Sequence, residues 1–108
     1  MSSRIFQGVV TQLSEAAGVP MGVVDTDGVV ISSSDAALIG EKWPDAATAI
    51  AAMPDAPVFW GEYTFLTLKG WNPTYGFSAF TKGTDSAALC ACRMAQVSLS
   101  FTKTYYEE

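Results

Sequence analysis

The sequence predicts an α+β domain: a five-stranded antiparallel sheet flanked by N- and C-terminal helices, in the order α-β-β-α-β-β-β-α. Three observations carry this expectation. Apolar residues recur at helical spacing at both ends of the chain, in Phe6, Val9, Val10, Leu13 and Ala17 and again from Ala88 to Phe101. Between the ends lie short β-branched and aromatic runs bounded by Gly, Pro and Asp. The first two runs meet around Thr26-Asp27-Gly28, a hairpin signal, because glycine accepts the positive φ of a tight turn. Antiparallel hairpins between terminal helices describe an α+β domain.

Each element has its own justification. Ser2 or Ser3 caps the first helix, whose polar side carries Gln7, Thr11, Ser14 and Glu15, and Gly18 stops it. Met21 to Asp25 and Val29 to Ser32 form the hairpin. Their near-continuous apolar character predicts strands covered on both faces. Ser32-Ser33-Ser34-Asp35 suits a turn or cap, and Ala36 to Ile39 suits one helical turn ended by Gly40. Pro44, with Asp45 beside it, opens an alanine-rich helix that Pro54 stops. Val58-Phe59-Trp60 and Tyr63 to Leu68 read as strands around Gly61-Glu62, Lys69 to Pro73 as a loop, and Tyr75 to Thr81 as a strand ended by Lys82-Gly83. Thr84 or Asp85 caps the long final helix.

Bulk properties narrow the function. A chain of 108 residues fits one domain, and 49% apolar residues supply a core at that size. The net charge of −5 is scattered, and the six cations form no basic stripe, which argues against contact with nucleic acid. No apolar run reaches the roughly 18 residues of a membrane span, and the N-terminus lacks the build of a signal peptide, so the expected location is the cytoplasm. Cys90 and Cys92 diverge by about 200° on a helix, which disfavours a disulfide between them; both are expected as buried free thiols.

Catalytic patterns are missing. Without histidine there is no Ser-His-Asp triad, no Cys-His pair and no histidine metal site. Gly-rich phosphate loops are absent as well. Asp25 and Asp27 flank Thr26 at the hairpin, where carboxylates serve turn chemistry. The expectation is a non-enzyme with no cofactor and no metal.

Two features are more informative. Phe59, Trp60, Tyr63, Phe65, Trp71, Tyr75, Phe77 and Phe80 crowd the strand-rich second half, and alternation lets only part of the set face one side. The rest fills the other face or lines a pocket. Ser32, Ser33, Trp43, Trp60, Tyr63 and Phe77 are the candidate ligand contacts, around a cavity between the sheet and the segment from Ser32 to Trp43. The final helix carries two apolar stripes. Ala88, Cys92, Ala95 and Leu99 form one, and Cys90, Met94, Val97 and Phe101 the other. One stripe covers the sheet; the second needs the first helix or a second copy of the chain. Met94, Val97, Phe101 and Tyr105 are the candidate homodimer contacts. Tyr105-Tyr106-Glu107-Glu108 offers no capping glycine and places acids against the helix dipole, so the chain reads as one sensor and dimerisation domain, a fragment of a longer protein.

Ser3-Arg4-Ile5-Phe6-Gln7, Gly22-Val23-Val24-Asp25-Thr26-Asp27-Gly28-Val29-Val30-Ile31, Ile39-Gly40-Glu41, Val97-Ser98-Leu99 and Tyr105-Tyr106-Glu107-Glu108 together resemble the N-terminal sensor region of PucR/CdaR-like bacterial transcription regulators. The resemblance implies a PAS- or GAF-like domain that dimerises, senses a small-molecule effector and precedes a helix-turn-helix output domain. PAS, GAF, profilin and roadblock folds share a layout of this kind. The rival reading is a roadblock- or profilin-like scaffold that binds protein and no small molecule.

Overall fold

The computed structural model describes residues 2–68 and 76–107, with side chains from 6 to 68 and from 76 to 102. The elements are α1 (Ser2–Ala17), β1 (Met21–Val24), β2 (Val30–Ser33), a 3-10 turn (Ala36–Leu38), α2 (Pro44–Ala52), β3 (Val58–Trp60), β4 (Tyr63–Thr67), β5 (Ser78–Lys82) and α3 (Ser86–Glu107). The five strands form one antiparallel sheet in the order β2-β1-β5-β4-β3. The α+β expectation and its element order therefore hold.

Alternation divides the core in two. Met21, Val23, Leu66 and Ala79 face α1 and α3, where they meet Phe6, Val10, Cys92, Ala95 and Leu99. Val24, Val30, Val58, Phe65 and Phe80 face the other way and are covered by Trp43 and Ala46 at the start of α2. β1 lies inside the sheet and is buried at all four positions, as its unbroken apolar run predicts.

Local chemistry sets the turns. Asp25 Oδ1 accepts from the backbone N–H groups of Asp27 (2.9 Å) and Val29 (3.0 Å), which confirms a turn role for this carboxylate. Gly28 sits at φ 81°, and a Cβ there would overlap the Trp43 carbonyl. Gly28 thus lets the hairpin tip press against the entry to α2, where Trp43 N–H donates to the Gly28 carbonyl at 2.9 Å. Gly22 serves packing instead: a Cβ would lie 2.5 Å from Phe80 Cζ and overlap the Ser32 carbonyl. At the C-terminal helix, Asp85 Oδ1 accepts from Ala88 N–H at 2.9 Å, the capping bond expected of it.

The β1–β2 pairing contains a bulge. Val23 stands opposite Ser32 and Val24 opposite Val30, so Ile31 is the extra residue. The outer edge of β2 is occupied. Gln7 on α1 donates to the Ser33 carbonyl (2.8 Å) and accepts from Ser33 N–H (3.1 Å), in the manner of a neighbouring strand. Further along, Val30 exchanges backbone bonds with Gly40 and Glu41. This sheet edge is thereby closed to further pairing.

Candidate interaction face

α3 is held by its first stripe. Ala88, Cys92, Ala95 and Leu99 are all buried against β4 and β5. The Cys92 thiol lies 3.5 Å from the Thr64 carbonyl and 3.7 Å from that of Ala79, and burial pushes it up to about 12. It is a packed, protonated thiol. Thr81 donates to the Ala88 carbonyl at 3.0 Å, and Gln96 to the Thr67 carbonyl at 2.7 Å, which fixes the rotation of α3 on the sheet.

That rotation points the second stripe outward. Met94 is 59% exposed, Val97 56% and Phe101 75%. At positions i, i+3 and i+7 they form one line along α3. Cys90 continues the line and is exposed, which corrects the expectation of a buried thiol: α1 packs to one side of this stripe and leaves it open. Tyr105, the fourth expected contact, has its side chain outside the described residues.

The stripe continues into a groove between the helices. Leu13, Ala16 and Ala17 of α1 form one wall, and Ala87, Cys90, Ala91 and Met94 of α3 form the other, enclosing about 340 Å³. Small side chains on both walls leave this space unfilled. Leu13 and Met94 were legible as apolar helix positions; the alanines that make the groove carry little signal beyond helix propensity.

The six expected ligand contacts do not gather at one place. Trp43, Trp60 and Tyr63 do meet, beneath α2. Trp43 stacks on Tyr63 at 4.9 Å and lies 5.7 Å from Trp60, 5.2 Å from Phe80 and 6.0 Å from Phe65. These rings fill one another's space, and burial, followed by Glu62, Asp35 and Glu41, raises the Tyr63 hydroxyl above its ordinary range. Phe77 lies on the opposite side of the sheet, with its ring edge-on to Phe6 at 5.4 Å. Alternation separates the serines, and the bulge sets which face each one takes. Ser32 shares the face of its partner Val23, and Ser33 that of Gly22. Ser33 Oγ accepts from Asp35 N–H at 3.0 Å. Trp71 and Tyr75 lie outside the described residues.

Among the described residues no group of three or more His, Cys, Asp or Glu side chains could hold a metal ion, and no helix is long and apolar enough to cross a membrane. No family model matches the chain, and neither does any curated protein. Among solved structures, Myxococcus xanthus MglB is similar at a TM-score of 0.59 and 14% identity, over 96% of this chain and 88% of that one. At such identity the likeness is one of fold: MglB has a roadblock-type α+β fold, and this chain shares its α+β architecture of a five-stranded antiparallel sheet with helices.

Proposed function

We propose that this chain is a non-catalytic protein-interaction module that self-associates through the α1–α3 face. The carrying observation is the line of Met94, Val97 and Phe101, more than half exposed on a helix whose opposite side is fully packed. Large apolar side chains in register beside an apolar groove are characteristic of interaction surfaces. A second copy is the simplest occupant, because a two-fold axis beside α3 would set each stripe against its own duplicate with no further complementarity required. The roadblock-type fold supports a scaffold over the sensor domain of a transcription regulator, and the mutually packed rings around Trp43 weaken the ligand-sensing role expected of them.

The strength of association can be bounded. Full burial of a Val, Met or Phe side chain contributes roughly 1.5–3 kcal/mol, so three side chains per copy, more than half exposed, offer about 6–11 kcal/mol across a symmetric contact. Association costs about 4–15 kcal/mol in lost freedom, so a weak, concentration-dependent dimer is expected. Light scattering over a concentration series tests it. The wild type should approach twice its monomer mass of 11.5 kDa as concentration rises, and Phe101→Glu should remain monomeric with an unchanged circular dichroism spectrum. Equal masses for the two proteins at all concentrations would refute the reading.

A further inference from the structure

Beyond self-association, we propose a small-molecule site on the opposite side of the sheet, between α2, the β1–β2 turn and the β4 and β5 ends beside that turn, that takes a compact organic cation with an apolar body, such as a primary amine. It is distinct from the Trp43 cluster and from the α1–α3 groove. The cavity measures about 210 Å³. Pockets for drug-sized ligands run roughly 300–1,000 Å³, so the occupant is smaller, of metabolite size.

The lining determines the chemistry. Ala47, Ile50, Ala51 and Pro54 supply an apolar wall from α2 and its C-terminal end. Opposite them stand Ser78 at the start of β5 and Thr67 at the end of β4. Ser78 is only 2% exposed, yet among the described residues its hydroxyl has no hydrogen-bond partner. No fully sealed side-chain oxygen or nitrogen among those residues lacks a partner, so the Ser78 hydroxyl reaches the cavity surface. A buried residue offering a polar group to a cavity is otherwise rare, because an unmade bond is costly.

The charge at the rim selects the ligand. Asp25 lines the cavity, and both of its turn bonds are made through Oδ1. Oδ2 accepts from no group among the described residues. Among the described residues the lining contains no Lys or Arg to neutralise the carboxylate, and the chain as a whole is at −5. An ammonium group can donate to Asp25 Oδ2 and to the hydroxyl oxygens, while its carbon skeleton lies on Ile50 and the alanines. An anionic ligand would meet the Asp25 carboxylate with no cation among the described lining residues to offset it.

The test uses three probes of one shape: 2-phenylethylamine, 2-phenylethanol and 3-phenylpropionate, each titrated into the ¹⁵N-labelled chain. The amine should give saturable amide shifts at Ala47, Ile50, Ala51, Thr67 and Ser78; the alcohol should bind more weakly and the acid not at all. Asp25→Asn keeps the Oδ1 acceptor and hence the turn, and removes the charge. It should weaken the amine about tenfold or more and leave the alcohol unchanged. Ala51→Phe, on an exposed helix position, fills the cavity and should abolish binding of both. The proposal is overturned if the amine causes no saturable shift up to about 10 mM, beyond the weak end of ordinary recognition. It is also overturned if acid and amine bind alike, or if Asp25→Asn leaves the amine's affinity unchanged. None of these results depends on the association state.

Discussion

Trp43→Ala separates a packed aromatic core from a ligand-lined cavity. Trp43 is 8% exposed and its ring lies within 6.0 Å, centroid to centroid, of four others. Truncation of a buried tryptophan costs roughly 3–5 kcal/mol, and each lost aromatic pair adds about 0.5–1.5 kcal/mol beyond area. The rings of Tyr63 and Phe80 are themselves held by the sheet and cannot collapse fully into the space, so a loss of about 4–5 kcal/mol is expected. Set against a total of about 5–15 kcal/mol, that is a large share of the stability of this chain. The assay is urea unfolding followed by far-ultraviolet circular dichroism, which does not depend on the deleted fluorophore. Had Trp43 lined an open cavity, the space would exist already and the cost would be far smaller. A loss under about 1.5 kcal/mol would refute the packed-core account.

Other substitutions probe other parts of the fold. Gly22→Ala should destabilise by about 3 kcal/mol in the same urea assay, because the new methyl meets the Ser32 carbonyl on the paired strand as well as the Phe80 ring. A thiol reagent should modify Cys90 in the folded protein and reach Cys92 only on unfolding, counted by mass spectrometry as one adduct and then two. The raised Cys92 pKa has a pH consequence. The unfolded thiol ionises from about pH 8.5, whereas the folded one keeps its proton to about 12. Between those values the unfolded state binds fewer protons, so this contribution is fully present below pH 8.5 and is lost at up to about 1.4 kcal/mol per pH unit above it. Cys92→Ala should flatten that alkaline slope in thermal melts, and an unchanged slope would refute the assignment.

Much of the fold was legible because its signals are local. The 3.6-residue period of Phe6, Val10 and Leu13, the Asp25–Gly28 turn, Pro44 at a helix start and Asp85 at a cap are each decided within a few residues. What the residues could not convey is non-local. The order β2-β1-β5-β4-β3 depends on which strands find one another, and the bulge at Ile31 moves Ser32 and Ser33 to faces that strict alternation would not assign. Phe77 illustrates the same limit: three positions before Phe80, it falls on the other face, and so cannot share a wall with Tyr63. Cys90 was expected inside because a helix apolar on two sides usually is buried on two sides. Its exposure, with that of Met94 and Val97, is the evidence for an unfilled contact.

The interaction face is tested most directly by intermolecular NMR contacts in a mixed sample, one half of the chains carrying ¹³C-methyl groups on methionine and valine, the other half protonated only at phenylalanine rings. Met94 and Val97 methyl groups should show intermolecular nuclear Overhauser effects to a Phe101 ring in the second copy, growing with concentration. The contradicting result is a dimer whose only intermolecular contacts reach Phe59, 53% exposed on β3 at the far edge of the sheet, or a protein with none at any concentration.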